Sequence, residues 1–344
     1  PLFHAEAGIR DLSLSLVGSE MCIRDRATSY NGKGVIDELS PAAVGMLGTW
    51  GNRTANCILA KADLIIILGA SMAPDYTRFH DPQMIRPGQQ KIVQVDIDPH
   101  NAGWSFPVDL TITGDVRDVI DYLKNKHRSD DRQMQRLKQI DEIREKTGYN
   151  SPPILPAAAG TLHHTEVVAA LQKFLQPNDM LSLDAGSNRI WATNSLRMRT
   201  PNHLLVPGGI GGMGWGGPAA AAAKLAMPEK RVTCLAGDGG VMMTMDVVAT
   251  CAQYDRPGVF AVSNNSGLGM VRDNMGEKKI AVDFGEIDFA KAAKGFGAIG
   301  MRVDNRSGLE DALAEAHQQQ GPVVIDIKVD PAASFKPAAD TDPL

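Results

Sequence analysis

Two short stretches carry side chains suited to holding an anion together with a metal ion. The first is Cys234-Leu235-Ala236-Gly237-Asp238-Gly239-Gly240, and the second is Val262-Ser263-Asn264-Asn265-Ser266-Gly267-Leu268-Gly269-Met270. Each is an apolar run of strand type ending in small or polar residues, where the chain would leave a strand for a loop. Gly237 and Gly239 permit tight turns, and residues 241–254 have a helical pattern. A diphosphate can come close to a helix start of this kind, because no Cβ blocks it and unpaired N–H groups point outward. Asp238 would repel that anion, so a divalent cation between the two best explains the carboxylate. Mg²⁺ takes oxygen ligands in an octahedron and is commonly shared between one or two protein groups and a phosphate. Asn265 offers a second, neutral oxygen. Gly-Asp-Gly alone is a common turn. The 24 residues between it and Asn264-Asn265 fit one helix and one strand, which puts Asp238 and Asn265 on adjacent strand ends.

Such a site needs a parallel sheet, whose C-terminal edge is where α/β proteins bind ligands. The sequence supplies two candidates. From Ala27 onward, strand-like runs at 62–69, 91–98 and 109–115 alternate with helical patterns, which argues a Rossmann-like domain over 27–127. The run Leu64-Ile65-Ile66-Ile67-Leu68 is apolar throughout, as expected for a strand covered on both faces. Asp96 and Asp115, each at a strand end, fit helix caps or turns better than contacts to a ribose or flavin. Residues 128–163 read as a boundary: a charged helix with a thin apolar stripe (Met134, Leu137, Ile140, Ile143), then a linker rich in Pro and Ala. His163 and His164, at the start of the next helix, are expected at the surface. A second domain over 164–331 contains the strand Met180-Leu181-Ser182-Leu183-Asp184, ending in Ala185-Gly186-Ser187-Asn188, and a glycine-rich run from Pro207 to Pro218. Residues 332–344 are expected to be a mobile tail. The fold class is therefore α/β, with two doubly wound parallel-sheet domains.

With 344 residues, 43% of them apolar and 22% charged, the chain has the make-up of an ordinary globular protein of about two domains. A net charge of −5 and scattered basic residues argue against binding nucleic acid or a membrane surface. Cys22, Cys57, Cys234 and Cys251 lack metal-ligand spacing and fit free thiols in a reducing compartment, here the cytoplasm. Residues 1–26 do not read as the start of a domain. Met21-Cys22-Ile23-Arg24-Asp25-Arg26 back-translates to ATG TGT ATA AGA GAC AG, which resembles a transposon end used in preparing sequencing libraries. The expectation is a read-through artefact with the upstream protein cut off, the other reading being a native arm. An intact native frame through Arg26 in the source gene would contradict it.

Gly237-Asp238-Gly239, the paired Asn264-Asn265 and Leu268-Gly269-Met270 together resemble the thiamine diphosphate (ThDP) signature of the acetolactate synthase-like family. The resemblance runs from Ala27 to about Val329. It implies that the side chains of Asp238 and Asn265 and the Gly267 carbonyl hold Mg²⁺. It implies that Ala185, Gly186, Ser187 and Asn188, with Gly237, Gly239, Gly240, Leu268, Gly269 and Met270, line the diphosphate and thiazolium. Met213 matches the apolar residue that bends the cofactor, and the Gly211 carbonyl matches the acceptor for the pyrimidine amino group. The bent form brings that amino nitrogen near the thiazolium carbon whose proton must leave, and the cofactor then acts as an electron sink. Family members also use a glutamate from a pyrimidine-binding domain of a partner subunit. No residue of this chain matches it, so the chain alone is expected to bind Mg²⁺-ThDP weakly at most and to be inactive, and the active form is expected to be a homodimer or homotetramer.

The implied reaction is carbon–carbon bond cleavage or formation on a 2-oxo acid. Acetolactate synthases carry a Phe-Asp-Asp-Arg stretch where this chain has Ala70-Ser71-Met72-Ala73-Pro74-Asp75-Tyr76-Thr77-Arg78, and Met-His where it has Thr49-Trp50. The aromatic Trp expected after Met270 is also missing. These departures count against the flavin (FAD) that some relatives bind. They leave other ThDP lyases or acyltransferases open, of the 2-oxo acid decarboxylase, sulfoacetaldehyde acetyltransferase or oxalyl-CoA decarboxylase type. A non-catalytic nucleotide-binding fragment is the alternative of a different class, although the sheet around Asp96 lacks Gly-x-Gly-x-x-Gly.

Overall fold

A computed structural model describes residues 25–126 and 132–339. Residues 1–24, on which most of the expected artefact segment falls, lie outside the described residues. The chain divides into two compact units. The first runs to Pro152 and takes in Arg197–Asn202, and the second comprises Pro153–Leu196 and His203–Ala338.

The first unit contains β1 (Arg26–Thr28), β2 (Ala43–Met46), α1 (Arg53–Ala60), β3 (Leu64–Leu68), β4 (Lys91–Asp96), β5 (Leu110–Thr113), α2 (Val116–Lys126) and α3 (Arg132–Lys146). β1 pairs with β2, and β3, β4 and β5 form a three-stranded sheet, every pairing being parallel. Full coverage of the apolar strand at 64–68 is not what the structure shows. Ile65 and Ile67 are buried, whereas Leu64 is 49% exposed. The physical reason is position: among the described residues β4 is the only strand paired with β3, and the free edge of β3 faces β1 across a cleft of about 670 Å³. Asp96 accepts a hydrogen bond from the Asp98 N–H (2.9 Å) and Asp115 one from the Arg117 N–H (2.7 Å), so both act as turn and cap formers.

Helix α3, expected within a boundary between domains, belongs to the first unit. Met134 is 74% exposed, but Ile140 is buried and Leu137 and Ile143 pack with it against a core that includes Ile58, Ile65 and Ile92. A narrow stripe at helical spacing is enough to dock an otherwise charged helix.

The second unit is built on one six-stranded parallel sheet. Its elements are α4 (His164–Phe174), β6 (Met180–Leu183), α5 (Ser187–Ser195), β7 (Leu204–Leu205), α6 (Gly216–Ala226), β8 (Val232–Gly237), α7 (Asp238–Thr244), α8 (Asp246–Gln253), β9 (Val259–Asn264), α9 (Gly269–Asn274), α10 (Phe289–Gly295), β10 (Ile299–Val303), α11 (Arg306–Ala316) and β11 (Val323–Lys328). The strand order is β10-β11-β9-β8-β6-β7. The strands β6 and β9 are buried at every position, as near-continuous apolar runs require when helices cover both faces. The expected single helix over 241–254 is two, α7 and α8, and helical structure begins at Asp238 itself.

The segment after Val329 is a correction. It was expected to be mobile from residue 332, yet Phe335 and Ala338 are buried. The Ser334 carbonyl accepts from the Trp191 indole N–H (3.3 Å) and the Ala338 carbonyl from Asn194 (3.3 Å), while the Ser334 hydroxyl donates to Asp273 (2.7 Å). An aromatic ring in a sequence otherwise typical of a tail gives it an anchor.

Candidate functional site

Three neighbouring strands of the second unit end at the same edge of the sheet. Leu183 of β6 lies beside Leu235 of β8, and Gly237 of β8 lies beside Ser263 of β9. The loops that follow enclose a cavity of about 50 Å³. Ala185, Gly186, Ser187 and Asn188 reach it from β6; Gly237, Asp238, Gly239 and Gly240 from β8; and Asn265, Gly267, Leu268, Gly269 and Met270 from β9. Met213 joins them from the glycine-rich loop. Gly211 does not line the cavity; it sits earlier in that loop with a φ of 67°, near the Arg189 guanidinium.

Asp238 is 2% exposed. One of its oxygens accepts from the Gly239 N–H (2.7 Å) and the other from the Gly267 N–H (2.9 Å). Burial pushes its pKa up to about 6, against the opposing pull of those N–H groups and of the Arg272 charge. The Gly267 carbonyl accepts from the Gly269 N–H (3.0 Å), and Asn265 is buried. A carboxylate, an amide oxygen and a backbone carbonyl are hard oxygen donors, suited to Mg²⁺ rather than to zinc. Among the described residues no group of three or more His, Cys, Asp or Glu side chains could hold a metal. A cation here would thus take one carboxylate from the chain, with other oxygens from the ligand it bridges.

The glycines at this edge answer first to the protein itself. A Cβ at Gly239 would stand 2.6 Å from Leu268 Cδ2 and 3.0 Å from Met213 Cε, and one at Gly240 would stand 1.9 Å from Asp184 Oδ2. Asp184 is the functional residue that sequence reasoning passed over. It is fully buried, and its carboxylate accepts from the N–H groups of Gly214 (2.9 Å), Trp215 (3.0 Å) and Gly216 (3.1 Å). It thereby caps the start of α6 from a distant strand end and fixes the loop that carries Met213. The signal for it was present in the sequence: a glycine run opens a helix without a local side-chain cap, and an acid stands at the end of a strand.

His163 and His164, expected at the surface, are 4% and 2% exposed. The His163 Nδ1 accepts from the Thr165 N–H (3.1 Å), and Glu166 accepts from the His163 N–H (2.9 Å), a capping box that starts α4. The His164 ring lies in the protein interior and lines the same cavity. Burial, and next the neighbouring His163, push its pKa down to about 3.

Four polar atoms around the cavity have no hydrogen-bond partner among the described residues: Ser187 Oγ, Ser263 Oγ and both ring nitrogens of His164. Each buried polar group left unpaired costs about 1–3 kcal/mol. An oxygen-rich anion entering the cavity would accept from the two serine hydroxyls and from the protonated ring nitrogen of His164, and with the oxygen donors of Asp238 and Asn265 alongside, the residues present fit a metal-bound diphosphate.

Comparison with known proteins bears on the same residues. Residues 184–327 match the family described as "Thiamine pyrophosphate enzyme, C-terminal TPP binding domain", and residues 25–123 match "Thiamine pyrophosphate enzyme, central domain". The chain is 31% identical over 325 residues to a probable acetolactate synthase large subunit of Methanococcus aeolicus, covering 90% of this chain and 54% of that protein. It is 31% identical over 311 residues to the acetolactate synthase large subunit of Parasynechococcus marenigrum (88% and 49%). To the isozyme 1 large subunit of Escherichia coli it is 30% identical over 306 residues (86% and 52%). The chain therefore spans about half the length of the curated relatives it matches. No helix among the described residues is long and apolar enough to cross a membrane.

Proposed function

The chain belongs to the thiamine pyrophosphate enzyme family, and from that premise we propose that its second unit holds the diphosphate of ThDP through Mg²⁺, in an enzyme that forms or cleaves a carbon–carbon bond of a 2-oxo acid. The observation that carries this reading is the meeting of Asp238, Asn265 and Ser187 from three strand ends around one cavity with unpaired polar atoms. In this account Asp238, Asn265 and the Gly267 carbonyl hold the metal. Ser187 and the backbone around Gly186, Gly239 and Gly269 take the diphosphate oxygens. Met213, in the loop that Asp184 fixes, would press on the organic part of the cofactor, and the Gly211 carbonyl, outside the cavity lining, would be the acceptor for the pyrimidine amino group. When bound, ThDP supplies an electron sink for acyl carbanion chemistry. The protein's part would be to bind and orient it and to keep water from it.

We take a 2-oxo acid as substrate, in keeping with relatives named acetolactate synthase, and infer an assembly of like subunits in the cytoplasm, with the activating glutamate donated by another domain or subunit. Among the residues described around the cavity there is no glutamate. The 344-residue chain by itself is accordingly expected to bind Mg²⁺-ThDP without consuming pyruvate.

Thermal denaturation tests the reading. Mg²⁺ with ThDP should raise the midpoint of the wild-type chain, ligand at a hundred times its dissociation constant being worth about 2.7 kcal/mol. Asp238→Ala should show no rise. Stabilisation by NAD instead, or an undiminished ThDP response in Asp238→Ala, would contradict it.

A further inference from the structure

We propose that His164 is a further binding residue of this site, its imidazole donating a hydrogen bond to an oxygen of the bound diphosphate. The proposal rests on the reading of the second unit as a diphosphate site. It starts from a side chain that the fold alone does not explain. His164 is 2% exposed, neither ring nitrogen has a hydrogen-bond partner among the described residues, and the residue lines the cavity beside Ser187, Asp238 and Asn265. Its ring neighbour offers no partner: the His163 centroid is 6.1 Å away, edge-on, and the His163 Nδ1 is occupied by Thr165.

A packing role does not account for this arrangement. The buried ring is neutral, with its pKa down at about 3, and so carries one N–H donor and one bare nitrogen. Both stay unpaired at a stability cost that an apolar ring of similar shape would remove. A residue that weakens the empty fold in this way is expected where a ligand repays it. The setting favours an anion. His164 is the first residue of α4 and Ser187 the first of α5, so two helix starts, each with a buried unpaired polar side chain, meet at one cavity. A diphosphate has oxygens enough to accept from the Ser187 hydroxyl and the single His164 N–H while still binding the metal at Asp238.

Calorimetric titration of the 344-residue chain with Mg²⁺-ThDP, and separately with Mg²⁺ and inorganic pyrophosphate, tests the assignment. His164→Phe should weaken both ligands by about tenfold or more, the value of one hydrogen bond to a charged group. The same variant without ligand should melt at or above the wild-type temperature, and His164→Gln should recover part of the affinity. Should His164→Phe not fold, ¹⁵N spectra of the wild-type imidazole decide: a ring-nitrogen signal of His164 should move during the pyrophosphate titration and saturate with it. Unchanged affinity in a folded His164→Phe, or a ring signal that stays still while the site fills, would overturn the proposal. Two failures are told apart by the wild type. If it binds neither ligand, the diphosphate reading falls along with this one. If it binds, and only Asp238→Ala abolishes binding, this inference alone falls.

Discussion

Asp238 combines burial with a task that needs charge. Its pKa is raised to about 6 from an ordinary 3.8, so the folded protein holds this proton more tightly than the unfolded chain does. In the metal-free protein, ionising it weakens the fold by about 3 kcal/mol, a penalty absent below the ordinary carboxylate range and complete above about pH 6. Urea denaturation should therefore show wild-type stability falling, relative to Asp238→Asn, as pH rises from 4 to 6. Metal binding needs the ionised form, so Mg²⁺ affinity should fall as pH drops below about 6. Gly240→Ala should cost about 3 kcal/mol in the same assay, because its Cβ would displace the Asp184 carboxylate that holds three N–H groups. Asp238 and Asn265 could be read from the sequence because Gly-Asp-Gly and the paired Asn are local signals at a spacing that one helix and one strand explain. Asp184 left only an indirect signal, an acid at a strand end and an uncapped helix start, and His164 left none. The partners of Asp184 lie far along the chain, and two adjacent histidines at a helix start look the same in a sequence whether water or protein surrounds them.

The central strands β6, β8 and β9 of the second unit follow from their apolar runs. Periodicity speaks less clearly about what covers an element. The apolar run at 64–68 looks like an interior strand, but its lack of a second strand partner among the described residues is a matter of long-range pairing, which no local pattern encodes. The stripe on α3 and the single ring of Phe335 are weak signals of the opposite kind, modest in sequence and firmly docked in the structure. Phe335→Ala should destabilise the second unit by about 3–5 kcal/mol, the usual cost of deleting a buried aromatic ring. Hydrogen exchange should then quicken at the amides of Phe335 and Ala338, whose N–H groups donate to Asp273 and to the Phe335 carbonyl. Unchanged protection there would mean that the segment is held by its hydrogen bonds rather than by the ring.

At the scale of the whole molecule the two units have separate cores, one around Ile58, Ile65 and Ile140, the other around Val232, Phe260 and Val324. The first contains an ion pair with no solvent exposure, Lys33 Nζ lying 2.8 Å from both Glu38 carboxylate oxygens, one of which also accepts from the Met198 N–H (2.9 Å). Burial pulls the Lys33 ammonium well below its ordinary pKa, so the charge depends on its partner. Glu38→Ala should cost the first unit about 3–5 kcal/mol, seen in scanning calorimetry as a lowered transition, while the transition raised by Mg²⁺-ThDP stays in place. The central claim concerns the other unit: a divalent metal at Asp238 and Asn265 joins the protein to a diphosphate. A crystal of the chain grown with ThDP and Mn²⁺ in place of Mg²⁺ tests it most directly through the anomalous signal of the metal. The account predicts a single strong peak about 2.1 Å from oxygens of Asp238, Asn265 and Gly267, with the diphosphate completing its ligands. A metal held elsewhere, or a diphosphate bound without these three residues, would contradict it.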